Sequence, residues 1–460
     1  MGNELPKGWK VTTLGNVLSR ITNGLNISQT DLCSEDSLSI SRIETIANEN
    51  IDFERVKYCI PSIEQQQKYL LQNGDILFSH INSDKHLGKT AIYESNIPLI
   101  HGVNLLLLRC NDNLYFSKTL NYLLKYYRYI GVFMSIAQRA VNQSSINQKK
   151  LSNLEIPLPP LEEQKQIAEK LDNLFAQIET IKKSTERIPE LLKNFRQQVL
   201  TYAVTGKLTE DYRNYSNAKD LHKVIMQIKE SRISDTSNKT LKDKLEKIYF
   251  DSNSSLDFSI PKQWIPVNLD KICDSFVYGT SSKSEDKGEY PVIRMGNIQN
   301  GKLDWSDLKY TSDKSEYMKY KLNVGDILFN RTNSPELVGK TTVYDAQRAA
   351  CYAGYIIKID PYRKYVNPYY LNIVLNSQYA KRWCWENKTD GVSQSNINAH
   401  KISKFTIPYP CLSEQEEIVN RVQSIFAKLD FVEERYNKLC KKLDKLPQAL
   451  LHKAFKGELL

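Results

Sequence analysis

Three polar clusters in this chain carry side chains able to read the edges of bases, and each cluster occurs twice. Ser79-His80-Ile81-Asn82 corresponds to Asn330-Arg331-Thr332-Asn333, and Ser41-Arg42-Ile43-Glu44 to Arg294-Met295-Gly296-Asn297. The third pair runs from Asn142 to Lys150 and from Ser393 to Lys401. Arginine, asparagine and glutamine offer the paired donors and acceptors that match purine edges in the major groove, while lysine and serine hold phosphates. The candidate contacts in the first half are therefore Arg42, His80, Asn82, Asn142, Gln143, Ser144, Asn147, Lys149 and Lys150. In the second half they are Arg294, Asn297, Arg331, Asn333, Ser393, Gln394, Asn396, Asn398 and Lys401. Lys89 and Lys340 join them as phosphate contacts from Gly88-Lys89-Thr90 and Gly339-Lys340-Thr341. Each residue has an ordinary alternative: Asn, Ser and Gln are turn formers, Arg42 and Arg294 have carboxylate neighbours, and the lysines sit in strand-entry turns.

Other chemistries find no home. The Gly-Lys-Thr tripeptides resemble the end of a phosphate-binding loop, but the first glycine of that motif would fall at Ser83 and Ser334. Asn367-Pro368-Tyr369-Tyr370 lacks the second proline of an adenine-methyltransferase box and reads as a helix start. Six histidines form no metal-binding pattern, eight cysteines are scattered without a CxxC pair, and no Gly-x-Ser-x-Gly elbow is present. The expectation is a chain without catalytic residues, metal or bound cofactor.

The elements that must position the clusters are duplicated. Leu71 to Glu94 reappears as Leu322 to Asp345 at a shift of 251, with 12 of 24 positions identical. The same shift carries Gln143-Ser144 onto Gln394-Ser395, Glu163-Gln164 onto Glu414-Gln415, and Gly206-Lys207-Leu208 onto Gly457-Glu458-Leu459. So long a period in two copies is a tandem domain duplication and not a solenoid. Short β-branched runs separated by Asn/Gly/Ser turns make each copy a mixed α/β domain, with residues 1–158 the first and 260–409 the second. A proline-rich exit, Ile156-Pro157-Leu158-Pro159-Pro160 or Ile407-Pro408-Tyr409-Pro410, closes each.

After each exit, apolar residues alternate by four and three, from Ile167 to Tyr202 and from Ile418 to Leu450. That is the period of a coiled-coil seam, so residues 159–210 and 410–460 are expected to form two long helices, each about 60 Å long, that pack on each other. Pro189 and Pro447 fall inside the pattern and should kink it. Residues 211–259 are a polar, Lys-rich linker with short helices over Leu221 to Ile228 and Leu241 to Ile248. A net charge of +10 favours a polyanionic partner. No long apolar run or signal-like N-terminus is visible, and the expected location is cytoplasmic, away from membranes.

On several of these texts the chain resembles the specificity subunit of type I restriction-modification systems. The resemblance rests on Leu5-Pro6-Lys7-Gly8-Trp9, the repeated Gly-Asp-Ile-Leu-Phe, the collar-and-helix text from Ile156 to Asp172, the stretch from Ile188 to Arg213, and the closing segment from Leu450. It implies two target-recognition domains, each reading one half of a split, asymmetric sequence in double-stranded DNA, the first domain taking the 5′ half. Two antiparallel helices in a pseudo-twofold arrangement would set the gap and dock two modification (methyltransferase) subunits, and two restriction (motor-nuclease) subunits would complete the complex. S-adenosylmethionine, ATP and Mg would belong to those partners, with methyl transfer to adenine. The competing expectation is a coiled-coil adaptor that binds proteins and has no DNA specificity; salt-sensitive DNA binding separates the two.

Overall fold

Each Gly-Asp-Ile-Leu-Phe turns on a glycine in the left-handed region, Gly74 at φ 91° and Gly325 at φ 85°, and runs into the middle of a four-stranded antiparallel sheet. In a computed structural model, which describes residues 5–140, 143–213, 220–250, 254–345, 347–392 and 394–460, Ile76–Phe78 lies between Leu106–Cys110 and Thr90–Ile92, with Leu18–Asn23 at the edge. In the second copy Ile327–Asn330 lies between Ile356–Pro361 and Thr341–Val343, with Cys273–Tyr278 at the edge. Registers agree as well: Ile76 faces Leu108 and Ile92, and Ile327 faces Ile359 and Val343. Both faces of this strand are covered, Ile76 and Phe78 joining one core and Leu77 another. Burial on two sides is why the strand reads as an unbroken apolar run.

The aspartate of the motif is structural. Asp75, 1% exposed, accepts the Gln72 amide at 2.7 Å and both arms of the Arg109 guanidinium at 2.6 and 2.8 Å. Asp326 accepts the Asn323 amide at 2.8 Å and is paired with Arg363 at 2.7 Å. Around this sheet each copy adds a three-stranded mixed sheet, Lys57–Cys59, Leu38–Ile40 and Leu99–Ile100 in the first and Lys309–Thr311, Tyr290–Ile293 and Cys351–Tyr352 in the second.

The proline-rich exits form strands that return to the start of their own domain. Glu155–Leu158 pairs antiparallel with Lys10–Thr13, and Thr406–Tyr409 with Ile265–Asn268. Two-stranded pairing tolerates proline because only one edge needs donors. The repeated Glu-Gln that follows locks this collar. Gln164, wholly buried, accepts the Phe116 amide at 2.7 Å and donates to the Pro159 carbonyl at 2.8 Å; Gln415 does the same for Asn367 and Pro410 at 2.8 and 2.9 Å. The neighbouring glutamates receive the indole N–H of the opening tryptophans, Trp9 on Glu163 at 2.9 Å and Trp264 on Glu414 at 2.8 Å.

The chain divides into two compact units, Met1–Glu186 with Asn437–Leu460, and Arg187–Tyr436. The first therefore combines the first domain, the helix Leu161–Thr185 and the end of the helix Leu412–Phe455. Its core joins Ile167 and Leu171 to Leu451, Ala454 and Phe455, and further out Lys182 meets Asp444 at 3.6 Å. One segment ascends as the other descends, so they are antiparallel. The second unit repeats the arrangement: Val199, Leu200 and Ala203 share a core with Ile418 and Val422, while Arg196 reaches Asp430 at 2.6 Å and Glu433 at 3.1 Å. Each long helix thus leaves one domain and ends in the core of the other unit. Gly206 and Gly457 explain the shared glycine at those ends: both sit in the left-handed region, and a Cβ would lie 2.4 Å from Pro261 Cγ and 2.2 Å from Pro6 Cγ.

The interruption expected at or just before Pro189 is present, and Pro447 behaves differently. Pro189 coincides with a break, between Thr185 and Ile188, where it takes an early position whose amide lacks a helical acceptor anyway. Pro447 does not interrupt its helix, which runs unbroken from Leu412 to Phe455. Flanking residues Leu443 and Leu451 are buried, and their packing holds the helix through the missing donor. The linker helices are longer than expected, Leu221–Ser234 and Lys239–Phe250; the first joins the second unit's core through Leu221, Ile225 and Ile228, and the second packs on it through Tyr249.

A buried histidine distinguishes the first unit. His101 is fully enclosed and bonds the Leu105 carbonyl through Nε2 at 2.9 Å; burial pushes its pKa down to about 4, the carbonyl opposing weakly. Unfolding releases it to an ordinary value near 6.5, so the unfolded chain takes up a proton first as the pH falls. The first unit should lose stability progressively between pH 6.5 and about 4, by roughly 3 kcal/mol in all. His101→Gln should flatten that part of the curve, measured by urea titration at each pH. Tyr352 holds the corresponding place in the second copy.

Candidate nucleic-acid interface

The first and third polar clusters meet in a small three-stranded sheet on each domain. In the first, Gln143–Ser145 pairs with Ile81–Asn82 on one side and Gln138–Ala140 on the other, with Ser144 facing Asn82 and Arg139. In the second, Ser395–Asn396 lies between Thr332–Asn333 and Thr389–Asp390, with Ser395 facing Asn333 and Asp390. The sheets are anchored alike: the Ile146 amide donates to the His80 carbonyl and the Ile397 amide to the Arg331 carbonyl, each at 2.9 Å. Ile146 and Ile397 plunge into the cores and fix the hairpin to its domain.

Many of the candidate side chains spend their polar groups on this framework. Asn147 and Asn398 are helix N-caps, accepting the Lys150 and Lys401 amides at 2.8 Å. Lys150 and Lys401 brace the hairpins, one on the Ile136 carbonyl at 3.1 Å and the other on the Asn387 carbonyl at 2.8 Å. Buried Ser144 donates to Asp84 and buried Ser395 to Asp390. Asn82 bonds Ser79 and the Ser83 amide, Asn333 accepts the Ser334 amide, and Asn396 donates to Thr332 at 2.9 Å. Asn297, 2% exposed, uses every polar atom on Arg294, Asp304 and Asp307.

The basic candidates divide. Arg42 pairs with Glu44 at 3.5 Å and Arg294 with Asp307 at 3.5 Å, the carboxylate alternative in both cases. Lys89 donates to the Ala47 carbonyl, with its pKa lowered first by burial and then by the Arg128 charge; Lys340 donates to Gln299 Oε1 at 3.0 Å. Each lysine thereby ties the second cluster's segment to the central sheet. Arg331 lies over the Tyr278 ring at 4.6 Å, and His80 is buried with its pKa lowered by desolvation. Gln143, Lys149 and Gln394 are exposed beside these sheets. Asn142 and Ser393 lie outside the described residues.

Three neighbours escaped the sequence reading. Exposed Arg139 faces Ser144 across the hairpin, and its counterpart at the 251 shift is Asp390, so the two heads carry opposite charge at one place. Tyr278 supports Arg331 and accepts the Ala399 amide at 2.9 Å. Val392 stands at a hairpin tip. The shift could have flagged Arg139; nothing local marks Tyr278, which comes from a strand more than 50 residues away in sequence.

A type I restriction modification DNA specificity domain matches this chain twice, over residues 6–190 and 261–441. The chain belongs to that family. It is a non-catalytic specificity subunit of a type I restriction-modification system, which sets aside the adaptor reading. Over 464 residues it is 27% identical to the EcoKI specificity subunit of Escherichia coli, covering 99% of this chain and 90% of that one. Over 206 residues it is 46% identical to a MjaX specificity subunit inferred in Methanocaldococcus jannaschii, covering 44% of this chain and only 47% of that one. The HsdS subunit of Thermoanaerobacter tengcongensis shares the fold, with a TM-score of 0.61 at 18% identity over 100% of this chain and 99% of that one. Among the described residues of this specificity subunit no group of three or more His, Cys, Asp or Glu could hold a metal ion, and no helix is long and apolar enough to cross a membrane.

Proposed function

We propose that the specificity subunit reads a split, asymmetric DNA sequence, one half through each of the two small hairpin sheets, while its paired long helices dock two modification subunits. The observation that carries this reading is a common frame with different letters. Both hairpins share register, anchor and cap, yet Arg139 is replaced by Asp390, His80 by Arg331 and Asn82-flanking Ile81 by Thr332. The buried and capping residues the hairpins share hold the frame, and the positions that differ give each domain its own chemistry toward bases. The modification partners would bring S-adenosylmethionine and methylate adenine, and the restriction partners ATP and Mg.

Exchanging residues 260–409 for the same domain of a relative with a different target tests this. Sequencing methylated sites in cells carrying the hybrid should show one half of the word replaced and the other kept. A hybrid that changes both halves, or neither, refutes domain-by-half reading. Arg331→Ala should lower discrimination at one base pair by about 1–3 kcal/mol. Binding of the assembled complex to single-base variants measures it, and equal loss on cognate and scrambled DNA would count against base reading.

A further inference from the structure

The two hairpins agree at residues for which the fold offers no reason. At the 251 shift Val141 matches Val392 and Gln143 matches Gln394, alongside Ser144/Ser395, Ile146/Ile397 and Asn147/Asn398. The last three pairs are explained: the serines and isoleucines are buried and the asparagines cap helices. Gln143 and Gln394 are exposed, and Val392 is fully exposed. Val141 lies outside the described residues.

Hydrogen bonds tie down the base of the hairpin that carries Val392. The Gly391 amide closes the turn on the Gln394 carbonyl at 2.8 Å. Asp390 is held by the Lys388 amine at 2.6 and 2.7 Å and by buried Ser395, and Lys401 braces Thr389 at 3.0 Å. Turn tips favour glycine, asparagine and aspartate, so a β-branched apolar side chain there contributes nothing to the turn. A ribbon with polar groups satisfied at its base and an apolar side chain at its tip is suited to enter a groove and press between stacked bases.

Resting on the reading above, we propose that Val392 is an apolar wedge that the second domain inserts into the base stack of its half-site, with the neighbouring Gln394 reaching the base edge so exposed. Such a wedge unstacks a base step and bends the duplex, while the neighbouring residues that differ between the copies meet the base edges.

The test uses the full chain assembled with its modification subunits and duplexes carrying 2-aminopurine at successive purine positions. A probe in the second domain's half-site should brighten on binding. Val392→Ala should return that probe to the level of free duplex and weaken binding about tenfold, and Val392→Leu should retain both. Brightening that survives Val392→Ala overturns the wedge, as does a loss that disappears when the half-site thymines are replaced by uracil, which would make Val392 a reader of the thymine methyl. A fall in yield of assembled complex without change in the probe would assign Val392 to a protein contact and also overturn it. Absence of any salt-sensitive, sequence-dependent binding by the unmodified complex would instead sink the domain-by-half reading and take the wedge with it.

Discussion

Glu414→Ala should destabilise the second unit by about 3–5 kcal/mol, the range expected when one member of a buried ion pair is removed. Glu414 is 3% exposed and its partner Arg213 has a side chain 9% exposed. One carboxylate oxygen accepts Arg213 at 2.6 Å and Thr209 at 2.8 Å, and the other accepts the Trp264 indole at 2.8 Å. Arg213 also reaches the Gly206 carbonyl and lies over Trp264 at 5.6 Å, so this carboxylate joins the helix end, the domain opening and the collar. Alanine leaves a guanidinium enclosed without its anion. Glu163 in the first unit receives the Trp9 indole at 2.9 Å and meets no arginine among the described residues. Glu163→Ala should therefore cost only about 1 kcal/mol, one hydrogen bond. Hydrogen exchange under increasing urea follows each unit separately. Equal losses for the two substitutions would show that the arginine contributes nothing.

This pair shows where the sequence was legible. Glu163-Gln164 and Glu414-Gln415 stood out as repeats, but their work depends on partners far along the chain, Trp264 lying 150 residues from Glu414. A repeat reveals that a residue is needed and leaves the reason to tertiary structure. The helices were readable because their apolar period is local, and the family's recognition texts ran along them. Which half of a helix serves which domain was not, because that assignment rests on contacts such as Gly457 against Pro6.

At the hairpins the difficulty is different. Asn147 and Gln143 have the same repertoire of donors and acceptors as far as base reading goes, and both are exposed, yet the Asn147 oxygen is occupied in capping a helix. Residue type picked out segments that converge on one sheet in the first half, Ser144 facing Asn82 from about 60 residues along the chain. It could not apportion roles within them, because a polar side chain that builds a turn and one that reads a base have the same chemistry and differ only in what already occupies them. The apolar Val392 has no hydrogen-bonding group, so nothing in its residue type marks it as a base contact.

Shortening both long helices by one heptad at facing levels should move the preferred spacer between the two half-words and leave the words themselves intact. The expectation follows from the antiparallel pairing within each unit, where Lys182 meets Asp444 and Arg196 meets Asp430. A heptad removed from one helix alone would mismatch those pairs and the apolar seam, so an affected variant could not be told from an unfolded one; matched deletions preserve the seam. Seven residues correspond to about 10 Å of helix, or roughly three base pairs of B-DNA at 3.4 Å each. The rotation of three base pairs is close to a third of a turn, which the helix pair must absorb as well as the length. Methylation should therefore disappear at the original sites, by 100-fold or more if each half-site contributes about 3 kcal/mol, and should reappear at sites with a shorter gap or not at all. Sequencing methylated sites in cells carrying the double deletion reads both outcomes at once. Methylation persisting at the original spacer, by a complex shown to be folded and assembled, would mean that the helices join the domains without measuring the distance between their targets.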